Sequence, residues 1–300
     1  MTEIMPVPRN LILLSYQQGA LGLLFLFFYF HRFAAYNIFE KDIFGGDSMF
    51  SVLVIADDAG FFRRRRLFRA PQVRDVRVYG GLPFREIISA RRRGKINRAA
   101  ICEAAGRCSG TMLLPEDIAP GGGIDEPDLS DYRKLVFFNT ACSILRSSCG
   151  CGVRGELLIK DKNASAAQRL GIAVPLFSDI RVATSCPNGY SRPIENAMDE
   201  FGAAVLDGIS DSADAVIDLD SSPEKFVCGG EVFTAGKITL PSAYARLMPT
   251  GADSLEFAGA LYLISRIHSL AQLCFSEIYH GGKPLSLRAA SELIRLSAAP

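Results

Sequence analysis

Between residues 155 and 221 the chain keeps changing its hydrophobic period. "GELLIKD" (155–161) is an apolar run ending in charge, "ASAAQRLGI" (164–172) reads as a short helix, and "IRVATSC" (180–186) as a second strand. "PIENAMDEFG" (193–202) is a helix closed by Gly202, and "AAVLDG" (203–208) and "DAVIDLDS" (214–221) are further strands. Strands that are apolar almost throughout must be covered on both faces, and helices placed between them supply the cover. The pattern therefore predicts an α/β chain with parallel sheets and helices on both faces.

The same rhythm is present upstream. "MFSVLVIADD" (49–58) is a buried parallel strand, "FFRRRRLFRAPQ" a helix stopped near Pro71, and "VRDVRVYGG" (73–81) a strand with a turn. "PFREIISARRRGKINRAAICEAAG" (83–106) reads as helical with an interruption near Gly94, and "GTMLLPEDI" (110–118) as a short strand. The Gly/Pro/Asp-rich segment 119–130 marks a boundary, after which 131–148 is a helix capped by Ser130 or Asp131. Further on, 231–241 suggests a β-hairpin, 254–282 a long amphipathic helix ended by Gly281 and Gly282, and 285–297 a last helix. This divides the chain into an apolar extension (1–48), a basic α/β lobe (49–130), and a second α/β lobe with C-terminal helices (131–300). The abrupt strand at Met49 suggests that 49–300 folds without the extension.

The net charge of +1 conceals an asymmetry. Residues 49–110 hold fourteen Arg/Lys and five Asp/Glu, a net of +9, whereas 111–300 hold sixteen and twenty-three, a net of −7. Either the two blocks dock on each other or the basic one meets an outside anion. The runs "RRRRLFR" (63–69) and "RRRGK" (91–95) concentrate that charge, and Arg64 and Arg65 are candidate contacts for an anionic small molecule. No helix-turn-helix, zinc-finger or RNA-binding pattern accompanies them, so nucleic acid is not the expected partner.

Residues 10–30, "NLILLSYQQGALGLLFLFFYF", are about one membrane thickness of mostly apolar chain. Three expectations compete for this stretch: a membrane anchor through residues 11–30, a packed helix, and an extension outside the folded unit. The rest of the chain is expected in the cytoplasm. No feature sets an oligomeric state.

Several chemistries are disfavoured. The eight cysteines include Cys142, Cys149 and Cys151 close together, but no paired C-x-x-C spacing. Free thiols and no bound metal are expected. The histidines, His31, His268 and His280, form no hydrolase or metalloprotease pattern, and the chain carries no P-loop or G-x-S-x-G motif. Asp57, Asp58, Glu116 and Asp117 end neighbouring strands and raise the idea of a cation site, against loop solubility and capping as the plain alternative.

Residues 155–208 resemble the nucleotide-binding half of Rossmann-type dehydrogenases, which implies Rossmann-like parallel sheets. That family places a glycine-rich turn after the first strand, where backbone amides meet a pyrophosphate. Here the turn "KDKNAS" (160–165) lacks glycine, so no nicotinamide cofactor is expected. The second strand ends "TSCPNGYSR" instead of in an acid; its Thr184, Ser185 and Arg192 suit a phosphate better than a free ribose. Open α/β sheets place ligands at the carboxyl ends of strands, which makes Asp161, Ser185, Cys186, Asn188 and Arg192 the candidate ligand residues of this lobe. Pro187, Asn188 and Gly189 equally well form a simple turn.

No catalytic constellation emerges. The expectation is a binding or regulatory protein with a degenerate Rossmann-like lobe. The alternatives are an enzyme acting on a nucleotide or phosphorylated small molecule between the lobes, and a membrane-anchored assembly protein.

Overall fold

Ser51, Val52 and Leu53 are buried one after another, so their strand is covered on both faces. This is β1 (Ser51–Ile55). It lies parallel to both its neighbours, β3 (Pro83–Ser89) and β4 (Met112–Leu113), while β2 (Gln72–Arg77) closes the order β2-β3-β1-β4 antiparallel to β3. The structure, a computed structural model, describes residues 50–77, 83–148 and 154–297. The membrane expectation for 11–30 and the whole of 1–48 lie outside the described residues. Among those described, no helix is long and apolar enough to cross a membrane.

Residues 83–106 correct the sequence reading. Pro83–Ser89 is the strand between β2 and β1 rather than the start of a helix. Arg93 and Gly94, both at positive φ (51° and 74°), then form the two-residue turn joining Arg92 to Lys95. Only afterwards does Asn97, accepting from Ala100 N at 3.3 Å, cap a helix at Arg98–Ala105. With α1 (Phe61–Arg69) before it, this helix is α2.

The larger sheet has the order β12-β11-β10-β9-β8-β5-β6-β7. Its parallel half contains β5 (Arg154–Lys160), β6 (Phe177–Ala183), β7 (Val205–Asp207) and β8 (Ala215–Asp218). Read from β7 to β8 this is the 3-2-1-4 order of dinucleotide-binding folds. The other half departs from an all-parallel sheet. β9 (Lys225–Cys228), β10 (Glu231–Ile238), β11 (Phe275–His280) and β12 (Lys283–Ser286) are successively antiparallel. Their two tight turns are Gly229–Gly230 (φ 60° and 82°) and Gly281–Gly282 (φ 54° and 78°). Positive φ at both central positions fits the right-handed twist of the flanking strands. The hairpin expected at 231–241 is thus 225–238, with 231–238 a single strand.

The helices of this part are α3 (Ser130–Ser148), α4 (Pro187–Phe201), α5 (Ser242–Ala245), α6 (Ser254–Ser265), α7 (His268–Ala271) and α8 (Leu287–Ser297). The long helix expected over 254–282 ends at Arg266, which takes a left-handed conformation (φ 49°), and its last third is β11. Of the expected C-terminal helices, α8 is the one that follows the sheet. α3 is buried on nearly all sides, and its polar side chains serve the irregular segment after α7. Tyr132 Oη donates to Leu270 O (3.0 Å), Asn139 Nδ2 to Ala271 O (2.8 Å) and Leu273 O (3.0 Å), and Thr140 Oγ1 accepts from Phe275 N (2.8 Å). These bonds supply partners to backbone groups at the junction of α7 and β11, where Leu270 O also accepts from Leu273 N (3.3 Å).

The small sheet has a core on each face. Leu53, Ile87 and Met112 meet Ile101 and Ala105 of α2, while Phe50, Val52, Phe84 and Leu113 join the main core of the larger sheet. Residues Met49–Pro300 accordingly form one compact unit.

Candidate functional site

The strand order reverses beside β5, so the carboxyl ends of β5 and β8 are where this topology offers a ligand crevice. The chain's own side chains occupy that place. Asp161, fully buried, follows β5 and accepts from Ser165 N (3.0 Å), Ala166 N (2.8 Å) and Tyr190 Oη (2.8 Å). Burial, with the Asp161 charge next, pushes the Tyr190 phenol far above its usual range and keeps it a neutral donor. Ser165 Oγ donates to Asp131 of α3 (2.6 Å), and Lys162 N donates to both carboxylate oxygens of Asp220 (3.0 Å each). Lys160 lies 3.7 Å from Asp218, and Lys134 3.9 Å from Asp220. No α-helix begins here. The loop continues into 3-10 turns, Ala167–Ile172 and Val174–Leu176, so the helix N-terminus that would face a pyrophosphate is missing.

The sequence candidates separate accordingly. Asp161 is part of the packed interior. Ser185, Cys186, Asn188 and Arg192 are exposed around the start of α4, which begins at Pro187, six residues before the expected Pro193. "PNGY" is therefore the first helical turn and not a connecting turn, with Pro187 at the position where its missing N–H costs nothing. A Cβ on Gly189 would lie 2.6 Å from Ala164 Cβ, so glycine here lets α4 approach the loop after β5. Tyr190 reaches Asp161 across that contact. The CPNGY stretch locks the loop, and sequence reasoning missed Tyr190 because its partner lies 29 positions away.

The carboxyl edge of the small sheet differs. β1 leads into α1, β3 into the Arg92–Lys95 turn, and both strands end on the same side because they are parallel. Arg91 pairs with Asp57 (3.6 Å) and with Asp117, so those two carboxylates neutralise an arginine. Arg98 donates to Gly121 O (2.7 Å) and Ala119 O (2.8 Å). Among the described residues the ion pairs of the basic block, Arg74–Glu86, Arg85–Asp75 and Arg91–Asp57/Asp117, all lie within residues 49–130. Asp117 of the acidic block thus pairs with Arg91, while among the described residues no ion pair joins the basic block to residues 131–300. Arg63, Arg64, Arg65, Arg66 and Arg69 of α1 are in no ion pair there. Arg65 is exposed and Arg64 half-buried, and α1 begins at Gly60 with no side-chain cap and no acid in its first turn. The result is a positive edge carrying Phe61 and Phe62, 74% and 85% exposed.

A cavity of about 290 Å³ lies between the loop after β4 and the start of α6. Its charged lining is Glu116, Glu126, Asp253 and Glu256. Asp253 caps α6 by accepting from Leu255 N (2.8 Å) and Glu256 N (3.0 Å). Desolvation first, then the charges of Asp253, Glu126 and Glu116, raise the Glu256 carboxyl above its usual range. The folded chain then holds the Glu256 proton more tightly than the unfolded chain, so stability falls as pH rises from the ordinary glutamate range through the raised folded value. Glu256→Gln is expected to stabilise the protein at neutral pH by up to about 1 kcal/mol. Urea unfolding should show the gain vanishing below about pH 4, where both states are protonated.

Among the described residues no three His, Cys, Asp or Glu side chains group as metal ligands. The described cysteines are in no disulfide, and burial pushes Cys142 up to about 12. Cys149, Cys151 and His31 lie outside the described residues. His280 pairs with Glu231 across β10 and β11 (2.6 Å), and His268 with Gln272 (2.7 Å), both at element ends that sequence reading had placed inside one helix.

No protein-family model matches the chain, and no curated protein is similar to it. Among solved structures, an L-tryptophan dehydrogenase from Nostoc punctiforme aligns over 54% of this chain and 50% of its own, at 15% identity and a TM-score of 0.19. The chain thus spans half the length of that enzyme, and a likeness of this size carries no argument about substrate or cofactor.

Proposed function

We propose that this chain is a binding or regulatory protein whose Rossmann-like lobe is structural, and that it recognises a phosphate-bearing anion through the basic edge of its small sheet. The observation that carries the reading is the Asp161 carboxylate, bonded to the Ser165 and Ala166 amides. A pyrophosphate would need those amides and would meet the negative charge already on them. Arg64 and Arg65, on a helix whose N-terminus lacks an internal acid, offer the opposite environment. The enzyme alternative is less well supported, since a phosphorylated substrate in the 290 Å³ cavity would face four carboxylates. Ser185, Cys186, Asn188 and Arg192 stay in the proposal as a secondary contact surface at the start of α4.

Calorimetry with NAD⁺, NADP⁺, ATP and inorganic polyphosphate tests this. NAD⁺ is expected to give no saturable heat. Polyphosphate is expected to bind with an affinity that weakens with salt and drops about tenfold in Arg64→Ser/Arg65→Ser, since two charge-assisted contacts of an exposed kind are removed. Micromolar NAD⁺ binding would overturn the reading.

A further inference from the structure

We propose that the N-terminal tip of α1 docks on an anionic lipid bilayer, with Phe61 and Phe62 entering the boundary between headgroups and acyl chains and Arg63–Arg66 pairing with lipid phosphates. The inference rests on the reading that the basic edge is the recognition surface, and names its partner.

Two neighbouring phenylalanines exposed at 74% and 85% are left in water by the fold. Arginines alone would suffice for a small phosphorylated ligand, which would leave these rings uncovered. Single-stranded nucleic acid covers aromatics by parallel stacking. Here the rings meet edge to face, 5.6 Å apart and inclined by 80°, so each obstructs a flat platform on the other. A bilayer boundary accepts both rings in that arrangement.

The charges are placed to match. Successive helical residues turn by about 100°, so Arg63, Arg64, Arg65 and Arg66 point to all sides of the helix, within about 6 Å of the Phe62 level. A collar of cations behind an apolar tip sits at headgroup depth when the tip enters the acyl boundary. The helix base is held, because Leu67 is buried and Ser89 Oγ donates to Leu67 O (3.5 Å). Arg92, Arg93 and Lys95 are exposed on the same sheet edge and widen the positive field. The acids of that edge are Asp57, Asp58, Glu116 and Asp117, and Arg91 pairs with Asp57 and Asp117, offsetting one of their two charges. A basic and aromatic tip is one membrane signal, and stable attachment needs a second.

The chain contains no tryptophan, so Phe62→Trp installs a single reporter in the full-length protein. On vesicles of phosphatidylcholine with phosphatidylglycerol its emission should shift to the blue and be quenched by brominated acyl chains. Replacing Arg63, Arg64, Arg65 and Arg66 by Ser should lower partitioning about a hundredfold or more. Phe61→Ser/Phe62→Ser should lower it about tenfold while leaving polyphosphate binding intact. A reporter that stays solvent-exposed while the chain sediments with vesicles would overturn the proposal, as would equal binding to neutral phosphatidylcholine or a shift with single-stranded DNA alone. Retained polyphosphate binding without vesicle binding refutes the lipid partner and spares the broader reading. Loss of both refutes the two together. Thermal melts accompany each variant, and should the serine pair unfold the chain, the tryptophan reporter decides alone.

Discussion

Replacing Asp161 by alanine is expected to lower stability by about 3–5 kcal/mol, because it leaves two buried donors and one half-buried donor without their acceptor. For a unit of this size that corresponds to a fall in Tm of roughly 10 °C. Asp161→Asn keeps one acceptor oxygen but turns an NH₂ group toward a donor, so its loss should be intermediate. Tyr190→Phe removes one donor and one bond, with an expected loss of about 1–2 kcal/mol. Urea denaturation followed by circular dichroism ranks the three. A change below about 1 kcal/mol in Asp161→Ala, within the range of ordinary surface substitutions, would mean that this carboxylate does not lock the loop. None of the variants should gain NAD⁺ binding, because the segment that follows is a 3-10 turn and supplies no helix N-terminus.

The parallel half of the larger sheet was legible because β5, β6 and β8 are short apolar runs between helix-like segments, and that local pattern is also their tertiary role. Pro83–Ser89 was less legible. Its Phe84-Arg85-Glu86-Ile87-Ile88 stretch suits an amphipathic helix as well as a strand, and pairing with β1 and β2 decides the matter. Gly281–Gly282 is a true turn signal with two meanings, since positive φ both ends helices and makes tight hairpins. Phe275 and Ile278 are buried at a spacing of three, which a helix also shows, so pairing of β11 with β10 and β12 distinguishes the two. Asp161 was singled out as a ligand residue for a sound local reason, an acid at a strand end. Its actual role depends on Tyr190 and on Gly189 packing against Ala164, and neither contact has a local signature. The free arginines of α1 were visible as a charge run, whereas the exposure of Phe61 and Phe62 required the fold.

Phe257→Ala is expected to cost about 3–5 kcal/mol and to weaken both sheets at once. Phe257, at the start of α6 and fully buried, lies 6.1 Å from Phe50 and 5.4 Å from Phe84, both at angles of T-shaped packing. Phe50 and Phe84 stack on each other at 5.4 Å and belong to the small sheet's inner face. Alanine at 257 would leave a cavity that neither backbone can close without moving a whole sheet, which places the cost toward the upper part of the range. Hydrogen exchange should show protection falling together in β1, β3, β10 and β11. Loss confined to β1–β4 would instead mean that the basic segment unfolds as a separate lobe. The double variant Phe84→Ala/Phe257→Ala should cost less than the sum of the single ones by about 0.5–3 kcal/mol, because both remove the same contact. Additivity would show that the aromatic cluster does not couple the sheets.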